Sequence, residues 1–288
     1  MKTLMVCGAG FMGSGIAQQC ATYGFRTYLL DVSMELAERG KNGIAAGLSK
    51  QVARGKITEE RMNEILNLLI PCTDHSLAGE CSIVVEACFE NIEVKKALYA
   101  KLEPWLKDDA ILSTNTSFIP ITTLAEDLAR PERFVGTHFF GPVYAMKLVE
   151  IIRGKKTSDE TVALAQNFAK EIGKESVLIN IDTPGFIVNR INFATYAEAY
   201  RVMEEGVASI EDIDKALRLG LNHPMGVFEL NDYGGLKTVK DCLEILHELT
   251  GDERYRPVPA LDEHVAKGEL GRKTGKGWYD YSGDNTKQ

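Results

Sequence analysis

At 288 residues, with 44% hydrophobic and 26% charged residues, the chain has the composition of a folded globular protein and room for two domains, which excludes a disordered or fibrous architecture. A formal net charge of −8 opposes nonspecific attachment to nucleic acid or to an anionic membrane, so an anionic ligand must be met by a local basic patch or by backbone N–H groups. No apolar run reaches the ~18 residues of a membrane span, and the opening "MKTLMVCGAG" turns glycine-rich too early for a signal-peptide core, so no membrane association is expected.

In chain order, "TLMVCGAGFMGSGIAQQCATYGFRTYLLD" reads as strand, glycine turn, helix and second strand, a βαβ unit closing at Asp31. Residues 33 to 69 then change to a long helical pattern with a break near Gly55 and a fresh start at Thr58, which predicts a helix pair inserted before the third strand. "CSIVVEACFE" is that next strand. A helix from about Ile92 to Leu106, strand "AILSTN", helix "ITTLAEDLA", strands "RFVGTHFF" and "MKLVEIIRG", helix "SDETVALAQNFAKEIG" and strand "ESVLIN" continue the alternation. Strand-like runs then cease. The predicted fold is α/β: a Rossmann-type doubly wound sheet over residues 1–183, followed by an all-α C-terminal domain over residues 184–288.

In that second domain the apolar residues from Phe186 to Val202 cover most of a helix circumference, which predicts burial against another subunit and hence a homodimer. Ser209 offers an N-cap to "IEDIDKALRLG" with Gly220 as its stop, and a further amphipathic helix ends at Gly251. The cysteines, Cys7, Cys20, Cys72, Cys81, Cys88 and Cys242, have no metal-ligand spacing and read as small hydrophobes of a reducing, cytoplasmic compartment. No metal is expected.

The first candidate site is Gly8-Ala9-Gly10-Phe11-Met12-Gly13, a GxGxxG run between a strand and a helix. Gly8 permits the tight turn, Gly10 lets backbone approach a pyrophosphate, Gly13 lets helix and strand pack closely, and the helix N-terminus supplies N–H donors. Asp31 ends the second strand 18 positions after Gly13, where it can accept from ribose hydroxyls and repel a 2′-phosphate; no arginine follows it, which favours NAD over NADP. A helix N-cap is the plainer use of Asp31.

Six ordered motifs, "GAGFMGSGIA", "VVEACFENIEVKKALYAKL", "STNTS", "THFFGPVYAMKLVEIIRG", "DTPGFIVNRI" and "HPMGVFELNDYGGL", resemble those of the 3-hydroxyacyl-CoA dehydrogenases from Met5 to Tyr281, and the length is similar to that of the bacterial 3-hydroxybutyryl-CoA members. The resemblance implies that His138 takes the proton of a substrate 3-hydroxyl while hydride leaves for the nicotinamide, and that Glu150 hydrogen-bonds that histidine. An imidazole beside a carboxylate in an apolar run suits proton transfer near neutrality on general grounds too. Ser117 matches the family serine that touches substrate oxygen and cofactor, and Asn189 matches the asparagine that holds the acyl-CoA carbonyl region. Glu90, Lys95 and Lys273 correspond to family positions on the cofactor.

The inserted helix pair holds the CoA tail in the family, and Lys50 and Arg54 lie four apart on one helix face there; the family's CoA-contacting serine is Gly47 in this chain. The family usually reads HFFNP where this chain has Gly141. Each residue also has a structural use: a satisfied buried His138–Glu150 pair, a turn at Ser117, a backbone hydrogen bond at Asn189, solvated charges at Glu90, Lys95 and Lys273. Three readings follow: an NAD-dependent (S)-3-hydroxyacyl-CoA dehydrogenase for short acyl chains, a relative acting on a free hydroxy or sugar acid, and a catalytically silent sensing protein on the same fold.

Overall fold

The computed structural model describes residues 2–283, and the chain divides into two units, one up to Phe186 and one from Ile187. The first unit holds one sheet built from β1 (Thr3–Cys7), β2 (Arg26–Leu30), β3 (Leu69–Cys72), β4 (Ile83–Glu86), β5 (Ile111–Thr114), β6 (Phe134–Phe139), β7 (Leu148–Ile152) and β8 (Glu175–Ile179). Its strand order is β3-β2-β1-β4-β5-β6-β7-β8, with every neighbouring pair parallel except β6 and β7. The order reverses between β1 and β4, which opens a crevice at the carboxyl ends of those strands, the place where such sheets receive ligands.

The strands are apolar on both faces because helices cover both. Along β1, Leu4 and Val6 join one core with Ile16 and Ala17 of helix α1 (Phe11–Thr22), while Met5 and Cys7 join the other with Tyr99 of a helix after β4. The remaining helices of this unit are α2 (Met34–Ala53), α3 (Glu59–Leu68), α4 (Ile92–Leu102), the short α5 (Ile121–Leu124) and α6 (Asp159–Glu171). Ser33, Thr58, Asn91 and Ser158 each accept a backbone N–H in the first turn of α2, α3, α4 and α6. The inserted pair breaks as expected: α2 ends at Ala53 and Gly55 turns left-handed at φ 66°.

Two expectations need correction. The apolar "LLIPC" was assigned in part to the helical stretch, yet Leu69–Cys72 forms the edge strand β3; Pro71 lacks an N–H, and an edge strand is where a sheet tolerates that. The "ITTLAEDLA" segment forms little more than one helical turn, α5, before its chain turns away.

In the second unit, α7 (Val188–Glu204), α8 (Ile210–Gly220), α9 (Val227–Gly234), α10 (Leu236–Thr250) and α11 (Pro259–Ala266) pack around the rings of Tyr200, Phe228 and Trp278. Ser209 caps α8 as expected, but Gly220 is its last helical residue and Asn222 takes the left-handed position at φ 57°. Buried Asp214 of α8 accepts the N–H groups of Phe228 and Glu229 at 2.9 and 3.0 Å, which caps α9 from a neighbouring helix. Buried Asp232 likewise holds the C-terminal segment through Trp278 N–H and Tyr279 N–H, each at 2.9 Å.

Helix α7 begins later than the apolar run that predicts it. Phe186 lies outside it, with φ 51°, and is buried in the sheet unit's core. Within its own unit α7 buries Phe193, Tyr196, Ala197 and Tyr200, whereas Ile191 is 64% exposed. Ile191, Ala194 and Val202 line one side of an apolar groove of about 780 Å³, and Ile213, Ala216 and Leu217 of α8 line the other.

Candidate active site

The glycine turn joins β1 to α1 under tight steric limits. Gly8 has φ 103°, and a Cβ there would stand 2.6 Å from the Ala87 carbonyl oxygen; one at Gly13 would stand 1.7 Å from the Gly8 carbonyl oxygen. Any larger residue at either position would push β1, β4 and α1 apart. Gly10 is different: nothing lies within 4 Å of a Cβ built on it, so its backbone borders open space a ligand can approach. No acidic side chain sits in the first turn of α1, which leaves the positive end of that helix uncompensated and suited to a pyrophosphate.

Asp31 stands beside this turn. Its two carboxylate oxygens accept the N–H groups of Ala9 and Val32, each at 2.7 Å, and fix the side chain against the loop. The cap of α2 is Ser33, so the helix-cap use of Asp31 does not apply. Glycine turn, bare helix terminus and fixed acceptor fit an adenosine pyrophosphate.

His138 and Glu150 are brought together by strand register. They face each other directly on antiparallel β6 and β7, so their side chains leave the sheet on one face. His138 Nδ1 lies 2.7 Å from Glu150 Oε2. A carboxylate accepts, so in the neutral tautomer that suits this contact Nδ1 donates and the lone pair is on Nε2. Ser117 Oγ lies 3.2 Å from that Nε2 and donates to it. His138 and Glu150 are 4% and 0% exposed, and the rings of Phe140 and Phe186 lie 4.6 and 5.5 Å from the imidazole, so bulk water does not compete for the pair.

Ser117 is held from below. One oxygen of Glu90 accepts from Thr116 Oγ1 (2.6 Å), Ser117 N (2.8 Å) and Phe118 N (3.0 Å). Its other oxygen lies 3.4 Å from Lys95 Nζ. Lys95 was expected on the cofactor, but its side chain is 1% exposed and its ammonium is engaged by Glu86 at 2.6 Å as well as by Glu90. Glu86, a fully buried carboxylate ending β4, was missed by sequence reasoning; the available signal was an acid closing an apolar strand with a lysine nine residues on. Burial and the Glu86 charge push the Tyr99 hydroxyl, another Glu86 partner, well above its ordinary pKa.

The remaining candidates stand on other elements. Lys50 in the last turn of α2 and Arg54 just beyond it are both exposed, one helical turn apart, and nothing lies within 4 Å of a Cβ at Gly47. Asn189, half-buried in the first turn of α7, and Lys273, in the short turn Arg272–Thr274, belong to the helical unit. Gly141 is not in the left-handed region, so no backbone constraint demands glycine there. The Phe11 ring lies over it: a Cβ at 141 would meet Phe11 Cε1 at 2.6 Å and Met12 Sδ at 3.4 Å. The space of the absent side chain is therefore shared with two residues of the nucleotide turn.

Comparison with known proteins agrees with this geometry. Residues 3–183 match the family model described as 3-hydroxyacyl-CoA dehydrogenase, NAD binding domain, and residues 185–281 match the 3-hydroxyacyl-CoA dehydrogenase C-terminal domain. A probable 3-hydroxybutyryl-CoA dehydrogenase of Bacillus subtilis is 42% identical over 98% of both chains. The human mitochondrial hydroxyacyl-coenzyme A dehydrogenase is 40% identical over 98% of this chain and 91% of its own. Among solved structures, the (S)-3-hydroxybutyryl-CoA dehydrogenase of Ralstonia eutropha superposes with a TM-score of 0.92 at 39% identity, covering 98% of this chain and 99% of that one. With both domains matched in order over almost the whole length, the chain belongs to the 3-hydroxyacyl-CoA dehydrogenase family.

Proposed function

We propose that the protein is an NAD-dependent (S)-3-hydroxyacyl-CoA dehydrogenase for short acyl chains, interconverting 3-hydroxybutyryl-CoA and acetoacetyl-CoA. The observation that carries this reading is the Nε2 lone pair of His138, fixed by Glu150 on the far side of the ring and met by the Ser117 hydroxyl. NAD, when bound, takes up or returns the hydride at C3. In the oxidising direction His138 removes the 3-hydroxyl proton, and Glu150 stabilises the imidazolium that results. Ser117 donates to the substrate oxygen, and Asn189 holds the acyl carbonyl region. Asp31 accepts from the adenosine ribose, while Glu90, Lys95 and Lys273 serve the cofactor side, Lys95 through Glu90. Exposed Lys50 and Arg54 meet the CoA phosphates, which favours an acyl-CoA over a free hydroxy acid.

Two further parts of the proposal concern assembly and place. The apolar groove between α7 and α8 supports a homodimer joined through the helical unit. Cysteines that are buried or half-buried as small hydrophobes are in keeping with a cytoplasmic enzyme.

The deciding assay is oxidation of NADH with acetoacetyl-CoA, longer 3-ketoacyl-CoAs and free acetoacetate. Acetoacetyl-CoA should give the highest kcat/KM with NADH well above NADPH, and Asp31→Ala should narrow the coenzyme difference; preference for free acetoacetate or for NADPH would sink the proposal.

His138→Ala should lower kcat by about 10²–10⁴-fold with the fold intact. Glu150→Gln should leave NADH binding near normal yet reduce kcat, because an amide can donate to Nδ1 and so favour the wrong tautomer. Near-normal turnover in the histidine variant would remove it from the mechanism.

Gly141→Asn should change stability by no more than about 0.5 kcal/mol, since the backbone suits any residue and the exposed Phe11 ring can swing aside. We expect it to reject branched or longer acyl groups that the parent accepts. Unchanged chain preference in a stable variant would show that Gly141 does not set selectivity. For the assembly, sedimentation at micromolar concentration should show a dimer, and a monomer alone would refute it.

A further inference from the structure

The buried pair Glu86–Lys95 lies beneath the catalytic cluster, and nothing in the reaction uses it directly. Glu86 is 0% exposed and Lys95 is 1% exposed. Replacing such a pair by apolar residues is commonly neutral or stabilising, so fold stability alone gives it little reason to exist.

Its hydrogen bonds indicate another role. One Glu86 oxygen accepts from Lys95 Nζ (2.6 Å) and Cys88 N (2.7 Å), the other from Tyr99 Oη and Thr114 Oγ1 (both 2.7 Å). A carboxylate has about four lone-pair sites, and all are filled, so Glu86 has no capacity left to act as a base or to bind a ligand. What it does is tie three segments together: the turn after β4, helix α4 and the end of β5.

Both routes out of Glu86 lead to the same loop. Through Thr114, whose Oγ1 accepts from Thr116 N at 3.2 Å, it reaches the start of the 115–118 turn. Through Lys95 it reaches Glu90, whose other oxygen gathers Thr116 Oγ1, Ser117 N and Phe118 N. Without the ammonium, the Glu90 carboxylate would lose the cation 3.4 Å from one of its oxygens and would be free to shift. Glu90 carries Ser117 with it. A shift of one ångström or less would stretch the 3.2 Å contact between Ser117 Oγ and His138 Nε2 beyond useful hydrogen-bond length.

We infer that Glu86 and Lys95 are positioning residues that set Ser117 against His138 by fixing Glu90 and the 115–118 turn. The inference rests on the proposed dehydrogenase activity for its kinetic readout but not for its spectroscopic one.

The test is a mutant cycle between the pair and Ser117. Glu86→Gln with Lys95→Met neutralises both partners together and avoids an unpaired buried charge; Thr114→Val removes the second route without touching the ion pair and serves if the neutral pair does not fold. Acetoacetyl-CoA reduction is measured in each variant with Ser117 and with Ser117→Ala. The neutral pair should lower kcat on the order of 10- to 100-fold, with the KM for acetoacetyl-CoA changed by less than about twofold. Thr114→Val should do the same to a smaller degree. In the Ser117→Ala background neither change should cost anything further, because residues acting through one group are not additive.

Equal losses in both backgrounds, a loss confined to NADH affinity, or unchanged kcat in folded variants would overturn the inference. A second readout needs no substrate: the nitrogen-15 resonances of the His138 imidazole should move in the neutral pair toward their positions in Ser117→Ala. If the parent protein does not reduce acetoacetyl-CoA, the dehydrogenase proposal fails while this measurement still decides the positioning role; unmoved resonances overturn it.

Discussion

The antiparallel pairing of β6 with β7 is the constraint on which the site depends. In an otherwise parallel sheet, it sets His138 directly opposite Glu150, so a backbone ladder rather than side-chain packing fixes their separation. Slipping the register by one residue would turn Glu150 to the other face and leave a buried carboxylate unpaired, an outcome costly enough to hold the register firmly. The histidine tautomer follows from this ladder: once Nδ1 donates to a carboxylate at 2.7 Å, Nε2 of the neutral ring carries the lone pair. The chemistry at Nε2 is thus determined by strand pairing on the opposite side of the ring.

The carboxyl ends of the strands carry the remaining groups. β1 ends in the glycine turn, β2 in Asp31, β4 in Glu86, and β5 in the turn holding Ser117. Parallel strands in register end together, so residues far apart in sequence are collected along one edge. That edge is stitched across: Asp31 to Ala9, Glu86 to Thr114, Glu90 to Ser117, Asn115 to Phe139. Local backbone groups left free by the ends of the strands are thereby satisfied, and the same bonds fix the geometry of the site.

Much of this was legible in the chain because its signals are local. GxGxxG between strand and helix, Asp31 at a strand end, and Thr58 and Ser209 before α3 and α8 are read within a few residues, and the structure agrees. Non-local facts were not legible. Leu69–Cys72 looks like the tail of a helix until one knows that Leu29 lies beside Pro71. Glu86 looks like an acid at the end of a strand, and Lys95 like a surface charge on α4, until the fold folds one onto the other. Helix α7 was over-read for the opposite reason: its apolar residues include Phe186, which the sheet unit buries before the helix begins.

An acidic chain must still receive a ligand bearing phosphates, and the structure does so with little net positive charge. At the glycine turn the donors are backbone groups: the first turn of α1 contains no acid, and the nearest carboxylate, Asp31, is held to the side by Ala9 and Val32. Those two bonds fix the Asp31 side chain beside the glycine turn. Lys50 and Arg54 at the end of α2 are exposed, whereas His138, Glu150, Glu86 and Lys95 are buried and paired. Burial and pairing therefore increase from the exposed end of α2 toward His138, where positional precision matters most to a proton transfer.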